Sequence, residues 1–437
     1  MNILSSFAKS VSQLSQKLNL GNGSTWPGHL ALMVRPTIVA EILSKSHTDV
    51  VLIIGTNGKT TTAKILTTIL ESSGKKVIQN TSGANLLNGV ASTLLLHTNP
   101  QGKVSADYAV FEVDENNVPL VLQHVIPKII IALDLFRDQL DRYGELDSIA
   151  KKWNHAFKSL TNETTLVLNA DDPLIAYVAK DVKAQVLYFG LPPETKGQKK
   201  LEHASDSIYC PNCGHKLVYD HIFFSHLGIW HCTSCGVVHP KPQIVEQTSP
   251  LPGVYNLYNT YAAVLAAKTL GIAEKEITNS LEKVIPAFGR QEKLTYKGSN
   301  VQLFLSKNPT SMNQSLVTIA SMKAKHVLFV LNDRIPDGHD VSWIWDIDIE
   351  NFIDKFDTVT ISGDRAYDMG LRLEYTQTSQ TANPKSQAHT KYVVEPNLTL
   401  AVAKSLEQVT SDETLYVLPT YSAMLDVRKI LTGRKIL

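Results

Sequence analysis

At 437 residues, 43% hydrophobic and 19% charged, the chain is long enough for two or three cores of ordinary globular composition. Its 42 Lys and Arg nearly cancel 41 Asp and Glu, which excludes a general electrostatic attraction to nucleic acid or anionic lipid. No run approaches the roughly 18 apolar residues that cross a bilayer, so a cytoplasmic protein is expected.

The first pattern is helical: Leu4, Phe7, Val11, Leu14 and Leu18 share one face, with Lys9, Lys17 and serines between them. This predicts a short amphipathic helix packed on the body, within an N-terminal helical segment over 1–45. From Val50 the sequence alternates short β-rich apolar runs with helical patterns, the signature of a parallel α/β sheet. Strands are predicted at Val50–Ile54, Tyr108–Val113, Lys128–Leu133 and Thr165–Leu168. Lys59–Ser73 reads as the helix after the first strand, stopped by Gly74.

Between that strand and helix lies Gly55-Thr56-Asn57-Gly58-Lys59-Thr60-Thr61. Backbone N–H groups at a helix N-terminus favour phosphate, a lysine adds a point charge and a threonine hydroxyl reaches Mg²⁺. Only Thr56 and Asn57 separate the glycines, fewer than in the commoner loop. A metal-bound phosphate also needs a carboxylate from a neighbouring strand, and Glu112, Asp114 and Glu115 end the next one. Glu112 is the expected Mg²⁺ group, whereas Glu115 fits a solvated strand-end acid.

A polar stretch, Pro192–Ser207, leads into a segment that holds all four cysteines. Cys210-Pro-Asn-Cys213-Gly and Cys232-Thr-Ser-Cys235-Gly stand 18 residues apart, the spacing of a four-thiolate zinc ribbon, here placed as an insertion over 205–240. Disulfides and a redox C-x-x-C are the alternatives, and neither suits a cytoplasmic chain as well as one structural zinc. One Lys and no Arg between Tyr209 and Gly236 weigh against nucleic-acid binding.

Helical periodicity resumes at Tyr255–Leu270. After Gly289-Arg290 the α/β alternation restarts, with strands expected at Val301–Leu305, His326–Leu331, Thr358–Ser362, Lys391–Val394 and Leu415–Leu418, and a surface loop at Gln377–His389. The units are therefore 46–295, carrying the phosphate loop and the insertion, and a Rossmann-like α/β unit over 296–437.

Four segments together resemble the Mur ligase family, which includes folylpolyglutamate synthetases. They are the Gly55–Thr61 loop, Leu168-Asn169-Ala170-Asp171-Asp172, Gly253-Val254-Tyr255-Asn256-Leu257-Tyr258-Asn259, with Tyr255 where His is usual, and Phe288-Gly289-Arg290-Gln291-Glu292. The resemblance implies ATP and Mg²⁺ handled by Lys59, Thr60 and Glu112, with Asn256 and Asn259 near the nucleotide and Arg290 reaching phosphate from the junction. It also implies the chemistry: phosphorylation of a substrate carboxylate to an acyl phosphate, then attack by an amine.

Two departures sharpen the expectation. Only 54 residues precede Gly55, too few for the UDP-sugar domain of murein ligases. Leu305-Ser306-Lys307-Asn308-Pro309-Thr310-Ser311 varies the family's D-x-A-H-N-P-x-S segment, with Leu for Asp and Lys for His. With the cysteine insertion and Asp337-Gly338-His339-Asp340-Val341-Ser342-Trp343-Ile344, the chain resembles the MurT branch of the family. That resemblance implies amidation of the lipid II stem-peptide D-glutamate to D-isoglutamine at the inner face of the membrane, with ammonia from a GatD-type glutamine amidotransferase. It also suggests that an acid of this loop orients the partner's Cys-His pair; Asp340 is preferred, with Asp337 and Asp346 as rivals and helix capping as the plainer role of Asp340. A standalone amino-acid ligase like folylpolyglutamate synthetase and a zinc-ribbon nucleic-acid-binding ATPase are the alternatives.

Overall fold

The computed structural model describes residues 25–80, 83–138, 146–203, 205–243, 245, 247–381 and 391–433. The helix expected over Met1–Leu18 lies outside them.

Two helices, α1 (Trp26–Val34) and α2 (Ile38–Lys45), precede β1 (Asp49–Ile54), α3 (Lys59–Ser72), β2 (Val77–Gln79), α4 (Leu87–His97) and β3 (Tyr108–Glu112). There follow α5 (Val118–Leu122), β4 (Ile129–Ala132), α6 (Leu146–Phe157), β5 (Thr165–Asn169), α7 (Pro173–Val178) and β6 (Gln185–Phe189). These strands form one parallel sheet in the order β2-β3-β1-β4-β5-β6. Its central strands are apolar on both faces, as a sheet covered on both sides requires. Leu52, Ile54 and Ile130 pack under α1, α2 and α4, while Val51, Ile53 and Ile131 pack under α3.

The cysteine segment folds as a hairpin, β7 (Val218–Phe224) and β8 (Leu227–His231), outside the sheet. After it come α8 (Val254–Thr269) and α9 (Glu274–Leu281), which return to the α3 face. The predicted strands and helices thus form within a residue or two of their expected ends. The short edge strands β2 and β6 were not expected, because neither carries a run of apolar residues buried on both faces.

The second sheet starts with β9 (Arg290–Tyr296) and β10 (Ser299–Phe304), an antiparallel pair. It continues through α10 (Pro309–Ser321), β11 (His326–Val330), β12 (Thr358–Ser362), α11 (Ala366–Thr381), β13 (Lys391–Val394), α12 (Leu398–Leu406), β14 (Thr414–Pro419) and α13 (Tyr421–Thr432). The strand order is β13-β12-β11-β14-β10-β9, with β9 alone antiparallel. The loop expected at Gln377–His389 is corrected at its start: α11 runs on to Thr381, and residues 382–390 lie outside the described ones.

The arm that leads into the hairpin also touches the second sheet's elements. Asn313 of α10 donates through Nδ2 to Glu202 (3.1 Å) and to Asp348 (2.9 Å), and His203 lies 3.0 Å from Asp348. Burial, and then the Glu202 charge, raise the Asp348 carboxyl from its ordinary range to about 6. Between the ordinary aspartate range and pH about 6 the folded state therefore holds a proton there that the unfolded chain has lost, and above it the folded state bears the cost of a buried charge. Stability from this group is present at low pH and is lost as pH rises through about 6. Asp348→Asn is expected to stabilise the chain by about 1–2 kcal/mol above pH ~7 and to be near neutral at pH ~4. Urea titrations at both pH values check this; an equal effect at both would contradict it.

Candidate active site

The carboxyl ends of the two sheets face each other across a cavity of about 1000 Å³. Such crevices beyond the strand ends are where open α/β sheets take their ligands. The loop after β1 forms its floor. Gly55 and Gly58 have φ of +129° and +83°, and a Cβ on Gly58 would lie 2.0 Å from Asn259 Oδ1. Only glycine fits there, because the loop must both turn and touch α8.

Lys59, at the first turn of α3, folds back to the carbonyls of Gly55 and Thr56 and lies 3.5 Å from Glu115. Thr60 Oγ1 donates to Glu112 at 2.7 Å. Glu112 is held in place because Asn80 receives its N–H and donates to its carbonyl, both at 2.9 Å. A hydroxyl and a carboxylate side by side at a phosphate loop are an oxygen pair of the kind Mg²⁺ takes. Glu115 corrects the expectation of a solvated acid: it is buried, and its carbonyl accepts from Trp153 Nε1 (2.8 Å).

The other expected residues gather around the same cavity. Asn259 Oδ1 accepts from Thr62 (3.3 Å), and Asn259 Nδ2 donates to Asn256 Oδ1 (3.1 Å), tying α8 to α3. Tyr255, at the usual histidine position, meets Gln291 of β9 through its hydroxyl. Arg290 lines the cavity and makes no ion pair among the described residues; burial lowers its pKa, opposed by the nearby Glu112 charge. Gly289 before it has φ +68°, and a Cβ there would strike Met424.

Several members of the site were not anticipated. Asp134 lines the cavity and accepts the Asn57 N–H at 2.8 Å; burial, and less so the Asp172 charge, raise its pKa to about 7. Lys307 reaches across from the second sheet to pair with the buried Asp138, while Asn308 Nδ2 meets Asn57 Oδ1 at 3.2 Å. Asn308 also caps α10 in a reciprocal box with Ser311. The Lys307-Asn308-Pro309 segment therefore lies against the phosphate loop in spite of its substitutions.

The four cysteines converge. Their Sγ atoms all lie within 4.8 Å of one another, with Cys210–Cys235 at 3.6 Å and Cys213–Cys232 at 3.5 Å. Those separations are near the roughly 3.8 Å edge of a tetrahedron with metal–sulfur bonds of about 2.3 Å. Gly214 and Gly236, with φ of +77° and +74°, turn each knuckle so that their N–H groups reach the Cys210 and Cys232 carbonyls. The donor set fits a closed structural metal.

The geometry separates the three acids of the Asp337–Asp346 segment. Asp337 is buried and accepts from both the N–H (2.8 Å) and the hydroxyl of Ser422. Asp346 lies 3.4 Å from Arg137, which also pairs with Asp206. Asp340 is exposed two residues after Gly338 (φ +84°) and accepts from Ser342, whose N–H lies at 2.8 Å and whose hydroxyl also bonds it. The Ser342 bonds hold its carboxyl below the usual range. The helix it was expected to cap is a single 3₁₀ stretch, Ser342–Asp346.

Comparison with known proteins follows the same division. The Mur ligase middle domain model matches residues 53–267, and the MurT ligase C-terminal model matches residues 305–424. The chain is 32% identical to the lipid II isoglutaminyl synthase (glutamine-hydrolyzing) subunit MurT of Streptococcus pneumoniae (strain ATCC BAA-255 / R6), over 95% of this chain and 94% of that one. To the subunit of the same name from Staphylococcus aureus (strain COL) it is 30% identical, over 88% of each. Among solved structures, MurF from Acinetobacter baumannii shares the fold, with a TM-score of 0.63 at 17% identity over 94% of this chain and 79% of that one. Among the described residues no helix is long and apolar enough to cross a membrane.

Proposed function

Since the chain belongs to the MurT family of the Mur ligases, which form C–N bonds, we propose that it amidates the α-carboxyl of D-glutamate in the lipid II stem peptide, giving D-isoglutamine. The observation that carries this reading is the cavity itself. A phosphate loop with a Thr60–Glu112 pair is faced by Asn308 and by Lys307, the latter where the family segment carries His.

In the first step a substrate carboxylate oxygen attacks the γ-phosphorus of ATP, and the bond to the bridging oxygen breaks to release ADP. In the second, the nitrogen of ammonia attacks the acyl carbon, phosphate leaves, and the surplus proton passes to phosphate or water. Lys59 and the loop N–H groups hold the phosphates, Arg290 supplies charge from the junction, and Asn256 with Asn259 orders the helix that supports the loop. Mg²⁺ held by Thr60 and Glu112 would neutralise the developing phosphate charge. Cys210, Cys213, Cys232 and Cys235 would hold a structural Zn²⁺.

Ammonia comes from a GatD-type glutamine amidotransferase docked on the unit over 296–437, at the inner face of the membrane. The body over 46–295, with its insertion over 205–240, supplies the ATP site. Asp340, the exposed acid of its segment, is the group offered to the partner's Cys-His pair.

The acyl phosphate is tested by labelling the substrate carboxylate with heavy oxygen. One labelled atom should appear in the released phosphate for each amide formed. Label kept wholly in the peptide or lost to water would rule the intermediate out.

A further inference from the structure

The hairpin that the cysteines brace is also part of the wall of the phosphate-loop cavity. Phe224 and Leu227, on either side of its tip, line that cavity. The tip is held there by several bonds: Gly228 N–H to the Asp171 carbonyl (3.0 Å), Trp230 Nε1 to the Ala170 carbonyl (3.1 Å) and Ser225 N–H to Glu202 (3.1 Å). Phe224 lies 5.7 Å edge-on to Tyr258 and 6.3 Å from Phe136, and His226 lies 4.5 Å from Phe136. Phe136 in turn is bonded to the phosphate loop in both directions, since its N–H donates to Thr56 Oγ1 (3.0 Å) and its carbonyl accepts from the same hydroxyl (3.2 Å).

Cys210 and Cys213 precede β7, and Cys232 and Cys235 follow β8, so a metal at the thiols closes the open end of a two-stranded hairpin. An isolated two-stranded hairpin is marginal in water. We propose that metal occupancy at the four cysteines and nucleotide occupancy of the cavity are thermodynamically linked through the Phe224–Phe136–Thr56 contact, so that the insertion is a working part of the ATP site. This rests on the reading that Zn²⁺ and ATP occupy those two places. Linkage is reciprocal: whatever factor the metal adds to nucleotide affinity, the nucleotide adds to metal affinity.

The test uses the full chain. Affinity for a non-hydrolysable ATP analogue is measured with zinc loaded and with zinc stripped by a chelator. The equilibrium extent of zinc removal by a chromophoric chelator is measured with and without the analogue. Stripping should weaken the analogue about tenfold, and saturating analogue should tighten zinc by the same factor. In the zinc-loaded chain Phe224→Ala should weaken the analogue about tenfold and Phe224→Leu much less, with zinc content unchanged; because Phe224 is buried, its truncation also lowers the melting temperature, so affinity is read well below the transition. If the stripped chain unfolds, the loaded Phe224→Ala variant decides. Wild-type nucleotide affinity in that variant, or zinc removal indifferent to nucleotide, overturns the linkage. A wild-type chain that binds both but shows no coupling sinks this inference alone, whereas failure to bind zinc or nucleotide also sinks the reading beneath it.

Discussion

Lys59→Ala is expected to lower ATP-dependent amidation about 10²–10³-fold, the scale set by removing one preorganised charge-stabilising group from a dry site. Lys59 is the cation of the loop itself. Its ammonium lies between the Gly55 and Thr56 carbonyls and Glu115, so nucleotide phosphates would replace existing partners without reorganising the backbone. Loss of transition-state charge should appear in kcat more than in the KM for lipid II. Lys59 is partly buried and its removal leaves Glu115 facing the cavity unpaired, so a fall in melting temperature is also expected. Glutamine and ammonium should suffer equally, because both pass through the same phosphorylation. A variant that kept more than about a tenth of the wild-type rate would remove Lys59 from the phosphoryl-transfer step.

Asp340→Asn is expected to divide the two nitrogen sources. With the glutaminase partner present, glutamine-driven amidation should fall about 10³–10⁴-fold, the effect of leaving an imidazole without its orienting carboxylate. Ammonium-driven amidation should stay at the wild-type level, because Asp340 is exposed and is not among the residues that line the cavity. Asn can still accept the Ser342 N–H, so the local turn should persist. Asp337→Asn is the informative contrast. Its carboxylate anchors the loop to the start of α13 through Ser422, so the change should loosen the loop and lower the melting temperature. If Asp346→Asn, and not Asp340→Asn, abolished glutamine use, the assignment would move to the residue now near Arg137.

The parts of the site that were legible in the sequence are those built from neighbours along the chain. A strand, two glycines and Lys-Thr-Thr specify the loop locally, and two C-x-x-C knuckles with trailing glycines specify a four-thiolate cluster. What stayed hidden depends on residues far apart. Lys307 and Asp138 are separated by 169 positions, and nothing near either one announces the other. Glu115 looked like a strand-end acid because the Trp153 and Lys59 that surround it come from other elements. The entry of the hairpin tip into the cavity was invisible for the same reason. Strand β9 was missed because its outer face is polar; its pairing with β10 sets it at the sheet edge, where alternation and not an apolar run is the pattern. Helix α11 outran its expected end because a Gln-, Thr- and Ser-rich sequence carries no apolar periodicity to mark it.

The central claim is that this cavity activates a carboxylate for attack by ammonia. The most direct measurement supplies the chain with lipid II, Mg²⁺-ATP and an ammonium salt, without a partner, and follows the stem peptide by mass spectrometry with fragmentation. The account predicts one ATP hydrolysed per amide formed, with the new amide on the α-carboxyl of D-glutamate and nowhere else. ATP turnover with no amide, or an amide on another carboxyl, would contradict it.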